Sequence, residues 1–261
     1  MLFRLEKESQ IPSFIQACTY ERVFGSKAAA ALRAWGLADS RFQFYLSVEG
    51  GEPAAALYLA EGILTVAASQ QVNPEEIADL ARREAPVEVN TSLDLAEAVQ
   101  KRLGGEMESS CFMVYQGRAL PEVTVTLSPG RLPDVFSVLQ KSHEYYRKHA
   151  KYDSWSADWE RRLSLGLSEV YQLERDGQVI GTGSVGSEDD ECGIVGAVAV
   201  VPEWRHRGLG GEISRFLTRR ILEKGKTPRL MAGYDAVAEL YRQVGFTECG
   251  RWGELYLTGD E

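Results

Sequence analysis

The chain has 261 residues, 44% of them hydrophobic, with a formal net charge of −9 and a pI near 5.1. That length holds one large domain or two smaller ones of roughly 100–150 residues each. The acidic balance repels phosphate backbones and anionic lipid, which argues against nucleic acid and membrane as partners and suits a cationic small molecule such as an amine.

In chain order, residues 2–5 are too short to assign. Residues 12–35 read as helical, with the alanines at 28–31 favouring helix. Residues 42–48 read as a strand, 49–52 as a turn, 53–59 as its hairpin partner and 63–68 as a third strand. Pro74 starts a helix to about Glu84, with Glu75 and Glu76 in its first turn, where the helix dipole favours acid. A short strand at 87–90, a helix at 93–103 ended by Gly104, and a strand at 111–115 complete the half.

The order then repeats. Residues 123–127 alternate as a strand, and 132–149 and 156–165 read as helices. Strands at 170–173 and 178–185 flank Asp176-Gly177, a strong hairpin turn. An apolar strand at 194–201 leads through a glycine-bearing loop into a helix at 211–224. A strand at 229–232, a helix at 236–244 ended by Gly245 and a strand at 254–257 follow. The stretch Ala98-Val99-Gln100-Lys101-Arg102-Leu103-Gly104 echoes Glu239-Leu240-Tyr241-Arg242-Gln243-Val244-Gly245. The pattern predicts an internal duplication, with domains at 1–117 and 118–261.

Four cysteines lie far apart, and the histidines His143, His149 and His206 do not join them at metal-ligand spacing. No metal is expected, and a reducing cytoplasmic compartment fits. Charges from Arg4 onward do not make a signal peptide, and no apolar run approaches the ~20 residues a membrane helix needs.

The most informative stretch is Val198-Ala199-Val200-Val201-Pro202-Glu203-Trp204-Arg205-His206-Arg207-Gly208-Leu209-Gly210-Gly211. Pro202 cannot donate a ladder hydrogen bond, so the strand is expected to end or splay there. A helix N-terminus leaves four backbone N–H groups unpaired and carries partial positive charge. Gly208 and Gly210 let the backbone approach an anion, and Arg205 and Arg207 add charge. This suits a pyrophosphate. Neither a Gly-x-Gly-x-x-Gly fingerprint nor a Walker loop is present.

Here the sequence resembles the GNAT acetyltransferase superfamily, whose hallmark is Arg/Gln-x-x-Gly-x-Gly/Ala after a strand ending near Val-x-Pro. Arg205-His206-Arg207-Gly208-Leu209-Gly210 and Val200-Val201-Pro202 match it, and Leu240-Tyr241-Arg242-Gln243-Val244-Gly245-Phe246 looks like the family's Leu-Tyr-x-x-x-Gly-Phe element. The resemblance implies two tandem GNAT-like domains of α/β (α+β) class, each a mixed, mostly antiparallel twisted sheet flanked by helices. It implies acetyl-coenzyme A as cofactor, held by Val198, Val200, Arg205, His206, Arg207, Gly208, Leu209, Gly210 and Gly211. Direct acetyl transfer to an amine of a small molecule or peptide follows, with Tyr241 as general acid.

The match departs from the family in two places. Many relatives carry a glutamate on the strand before Val-x-Pro, where this chain has Ile194 and Gly196, leaving Glu191 as the nearest carboxylate and candidate base. Tyr234 stands where relatives often have asparagine. An acceptor site is expected among Tyr145, Tyr146, Tyr152, Trp155 and Trp159 with Glu144, Asp153 and Asp158, where aromatic faces and carboxylates attract ammonium. The N-terminal half has Ser69-Gln70-Gln71-Val72-Asn73-Pro74 in place of the loop, without glycine or arginine, and is expected to bind no cofactor. A non-catalytic acyl-coenzyme A sensor, or an acyltransferase for longer chains or another acceptor, are the alternatives; the oligomeric state stays open.

Overall fold

The computed structural model describes residues 1–117, 119–148, 150–233 and 235–257; His149 and Tyr234 lie outside them. The chain divides into two compact units, one of Met1–Phe112 with Cys249–Glu261 and the other of Met113–Glu248. From sequence, one boundary falls at 117–118 and the second domain runs to the end. In the structure the chain leaves the first unit within a strand and returns to it after Glu248.

In the first unit, β1 (Leu2–Arg4) pairs antiparallel with β2 (Phe42–Glu49). The single helix expected across 12–35 is two, α1 (Ile11–Ala17) and α2 (Arg22–Trp35). The break is set by Glu21, whose extended backbone and carboxylate, accepting from the N–H groups of Val23 and Phe24 at 2.9 and 2.7 Å, start a fresh helix. Strands β2, β3 (Glu52–Ala60) and β4 (Ile63–Ala68) form an antiparallel meander. The crossover helix α3 (Pro74–Glu84) brings β5 (Glu88–Ser92) parallel to β4. Helix α4 (Leu93–Leu103) and strand β6 (Glu106–Tyr115) follow. Alternate residues feed two cores, as a period of two requires: Tyr45, Ala55 and Leu57 join Leu64, Ile77 and Leu80, while Phe44, Leu46 and Ala56 join Phe14, Ala28 and Leu32.

In the second unit, residues 123–127 form no strand; only β7 (Ser128–Pro129) pairs there. The Thr124 N–H and hydroxyl both donate to the Glu212 carboxylate at 2.8 Å, so a helix end takes the hydrogen bonds a ladder would have used. Helix 132–149 is likewise split, into α5 (Leu132–Ser142) and α6 (Glu144–Lys148), before α7 (Tyr152–Ser164). Strands β8 (Glu169–Arg175) and β9 (Gln178–Glu188) join through Asp176 and Gly177, at φ 52° and 76°, as a two-residue hairpin turn demands. Strand β10 (Cys192–Val200) pairs antiparallel with β9 and, through helix α8 (Leu209–Glu223), parallel with β11 (Thr227–Ala232). Helix α9 (Asp235–Val244) precedes β12 (Phe246–Tyr256), whose residues Trp252 to Tyr256 pair with β5.

Antiparallel hairpin, parallel crossover, helix: the order β3-β4-α3-β5-α4 recurs as β9-β10-α8-β11-α9. Within each unit the strand pairing is mixed and mostly antiparallel. Helix α8 lies close on its sheet because β9 presents glycine there. A Cβ on Gly183 would sit 2.6 Å from Ile213 Cγ2 and 2.7 Å from Leu217 Cδ1.

Candidate cofactor cradle and active site

The parallel ladder between β10 and β11 runs from Cys192↔Thr227 to Val195↔Leu230 and stops, although both strands continue. On its other edge, β10 shifts register against β9 between Gly196 and Ala199, and Ala197 takes φ +50°, rare for a side-chain-bearing residue. Gly196, Ala197 and Val198 are half-buried between fully buried neighbours. The strand ends at Val200, just before Pro202, as expected, but β10 and β11 part earlier, at this bulge. Pro202 instead opens a 3-10 turn, Pro202–Trp204.

The loop then turns into α8 through two left-handed residues, His206 at φ 59° and Gly208 at φ 75°. Gly208 is the N-cap, with no side chain to bond the helix end. The first intrahelical bond runs from Glu212 N–H to the Gly208 carbonyl at 3.1 Å. The N–H groups of Gly208, Leu209, Gly210 and Gly211 are thus the four that a helix leaves for a ligand. Arg207 lies 4.7 Å over the Trp204 ring and is exposed at the loop surface.

Arg205 and Val200 do something other than expected. Arg205 Nε donates to the Val200 carbonyl at 3.1 Å, and its Nη2 to the Ser142 carbonyl at 3.0 Å. Ser142 Oγ also donates to the Val200 carbonyl, at 3.2 Å. Both lone pairs of that oxygen are used, so it has none for a pantetheine arm, and the guanidinium is a latch between the loop and the end of α5.

Tyr241 is buried on α9, its ring edge-on to Phe246. Its hydroxyl lies near that of Ser214, whose Oγ donates to the Gly210 carbonyl at 2.7 Å. Burial pushes the Tyr241 pKa up to about 12. The structure thus brings Tyr241 to the first turn of the cradle helix. Glu191 it does not. That residue precedes β10, with an exposed side chain and its N–H on Asp189 Oδ1 at 2.8 Å. At ~3.3 Å per strand residue, it sits ~25–30 Å from Val200, too far to serve the cradle end of the strand. Glu191 is a turn residue.

His143 was not singled out by sequence, because it falls within an apparently continuous helix. It caps α5 in extended conformation, its N–H on the Leu139 carbonyl at 2.8 Å. Its imidazole lies against the backbone of Val198, at the β10 bulge. Burial lowers its pKa, the Arg205 charge lowers it further, and the Val198 bond opposes both. Only the fold reveals this pairing.

Residues 166–248 match the family model of the acetyltransferase (GNAT) domain. The second unit is a GNAT domain. Among solved structures, a GCN5-related N-acetyltransferase from Sphaerobacter thermophilus is 15% identical, with TM-score 0.65, covering 100% of this chain and 97% of its own. A GNAT-family acetyltransferase from Colwellia psychrerythraea is 13% identical, with TM-score 0.63 and coverages of 99% and 100%. A tandem GNAT protein from the clavulanic acid biosynthesis pathway is 12% identical, with TM-score 0.63 and coverages of 100% and 99%. A search of curated proteins gave no match. The GNAT fold therefore extends over both halves, and it supports acyl-coenzyme A-dependent acetyl transfer in general.

Much of the aromatic cluster in the GNAT domain packs on itself. Phe136 gathers Tyr146, Tyr152 and Trp155 at centroid distances of 6.1, 5.3 and 5.0 Å. Trp159 is buried, and Asp158 pairs with Arg162. Tyr145 is exposed, and Glu144 pairs with Lys148.

The first unit has the GNAT order without the cradle. The Asn73 side chain already accepts from Glu75 N–H at 3.0 Å, and Glu75 and Glu76 bring negative charge to the start of α3. The Thr91 hydroxyl of β5 donates to the Val66 carbonyl of β4 at 3.2 Å, closing the place where β10 and β11 stand apart. Calorimetry is expected to give one coenzyme A per chain. Two equivalent sites would contradict this assignment of Ser69 to Pro74.

Proposed function

We propose that the chain is an acetyl-coenzyme A-dependent N-acetyltransferase, acting on an amine of a small molecule or peptide by direct attack, with Tyr241 as general acid. The observation that carries it is the start of α8: four N–H groups without an intrahelical partner, a left-handed glycine cap, and Tyr241 lying beside Ser214, which bonds the same turn. The N–H groups of Gly208 to Gly211 would hold the pyrophosphate, and the opening between β10 and β11 would take the pantetheine arm, beside Val198. When bound, the cofactor supplies an activated acetyl thioester. Tyr241 holds the proton that the leaving sulfur needs. Its raised pKa keeps it protonated at every ordinary assay pH.

The non-catalytic sensor draws support from β10, where Ile194 and Gly196 hold no proton acceptor. Thiol release decides between the two. Acetyl-coenzyme A is incubated with 2-phenylethylamine, spermidine and a peptide with a free N-terminus. An enzyme releases thiol in proportion to one or more amines. A sensor binds coenzyme A and releases none above the no-amine control.

A further inference from the structure

Acetyl transfer needs an acceptor for the amine proton, and β10 offers no carboxylate at its bulge. Ile194 and Gly196 cannot take a proton, and Glu191 lies at the wrong end of β10. What lies beside the bulge is an imidazole. His143 reaches Val198 from the end of α5, in the segment where β10 has left β11. Three hydrogen bonds hold the adjoining Ser142 and the loop at this end of β10: Ser142 Oγ and Arg205 Nε donate to the Val200 carbonyl, and Arg205 Nη2 to the Ser142 carbonyl. The ring stands 6.2 Å from that of Tyr146.

We infer that His143 is the general base of the reaction, taking the proton of the attacking amine at the β10 bulge. The inference rests on the cofactor reading above. The Val198 backbone favours the protonated ring, so the ring nitrogen nearest it is assigned the proton, facing the carbonyl. A neutral imidazole that donates through one nitrogen presents the other as an acceptor. The groups facing the ring are the Arg205 guanidinium from the loop and the Tyr146 hydroxyl-bearing ring from α6. Burial and Arg205 both keep it neutral near pH 7.

The step balances without a further reactant. The amine lone pair forms the nitrogen–carbon bond to the acetyl carbon. The proton displaced from nitrogen passes to His143. The carbon–sulfur bond breaks, and sulfur takes the proton of Tyr241. Imidazolium and tyrosinate then re-equilibrate through solvent, leaving amide and thiol.

The test is His143→Gln, whose amide N–H keeps a donor for the Val198 carbonyl. With an amine from the panel above, kcat/KM is expected to fall ~10²–10⁴-fold, the range of general base catalysis. The acidic limb of its pH profile, lying below the ordinary histidine value, is expected to vanish. Coenzyme A affinity by calorimetry stays unchanged. In the unsubstituted protein, the His143 NMR resonance is expected to titrate below the ordinary value and to move when coenzyme A is added. That measurement decides the matter if the variant does not fold. Near-normal kcat/KM with the acidic limb intact overturns the assignment. So does a His143 resonance blind to bound coenzyme A, or coenzyme A binding with no amine acetylated. Failure of the unsubstituted protein to bind coenzyme A would instead defeat the cofactor reading itself.

Discussion

Gly208→Asp is expected to abolish coenzyme A binding, with affinity falling at least ~100-fold. Gly208 is the N-cap of α8 at φ 75°, and its own and its neighbours' N–H groups have no intrahelical partner. Aspartate is among the few residues tolerated in that backbone region, and it is a preferred N-cap. Its carboxylate would accept from Gly210 or Gly211 N–H, taking the donors the pyrophosphate needs and placing a negative charge beside it. A hydrogen bond to a charged group contributes ~1.5–3 kcal/mol, so losing two, with repulsion added, exceeds the ~2.7 kcal/mol that 100-fold represents. A side chain at φ 75° is strained by about 1–2 kcal/mol, which capping of α8 offsets in part, so the melting temperature should fall only slightly. Loss of binding with only a small fall in melting temperature therefore separates site from fold. Gly210→Asp is expected to lose binding too, but less cleanly, since a Cβ there would lie 3.3 Å from Leu240 Cδ1 on α9. Undiminished affinity by calorimetry in both variants would sink the cradle assignment.

The parts of the site legible in sequence are those set by neighbours in the chain. The glycine-bearing loop, the helix after it, the Asp176-Gly177 hairpin and the helix bearing Tyr241 all depend on residues within a turn or two. What stayed hidden depends on partners far away. Proline removes a donor, and β10 does end before Pro202; but the strands part earlier, at a bulge whose Ala197 gives no local sign. Arg205 looks like a phosphate ligand until Ser142, a distant residue, claims its guanidinium. Residues 123–127 alternate like a strand, yet Glu212 captures Thr124. His143 sits amid good helix formers, yet it leaves the helix in extended conformation and its ring lies against Val198, a residue far along the chain. The repeat of element order was visible from sequence, whereas the return of Cys249 and beyond to the first unit was not. Strand pairing is a long-range matter that a terminal apolar pattern does not specify.

Tyr241→Phe is expected to slow the chemical step ~10²–10⁴-fold, the usual contribution of a general acid. Cofactor affinity should change little, because the ring stays against Phe246 and only the hydroxyl contact with Ser214 is lost. The pH dependence distinguishes an acid from a packing residue. The neutral phenol is the active form, so activity requiring it persists as pH rises and falls only through its pKa, which burial has pushed up to about 12. An alkaline limb below pH ~10, the ordinary tyrosine value, therefore belongs to another group. The Phe variant should be slow across the whole range and lack the highest limb. A packing role gives a different result: a lower melting temperature with nearly normal turnover in the folded fraction. Single-turnover measurement is the decisive form of the experiment, because product release can mask chemistry in the steady state. An unchanged single-turnover rate would remove Tyr241 from the mechanism and leave bound water to protonate the sulfur. A reduced rate that is not restored at any pH would fix the proton donor on α9, one hydroxyl away from the turn that holds the phosphates.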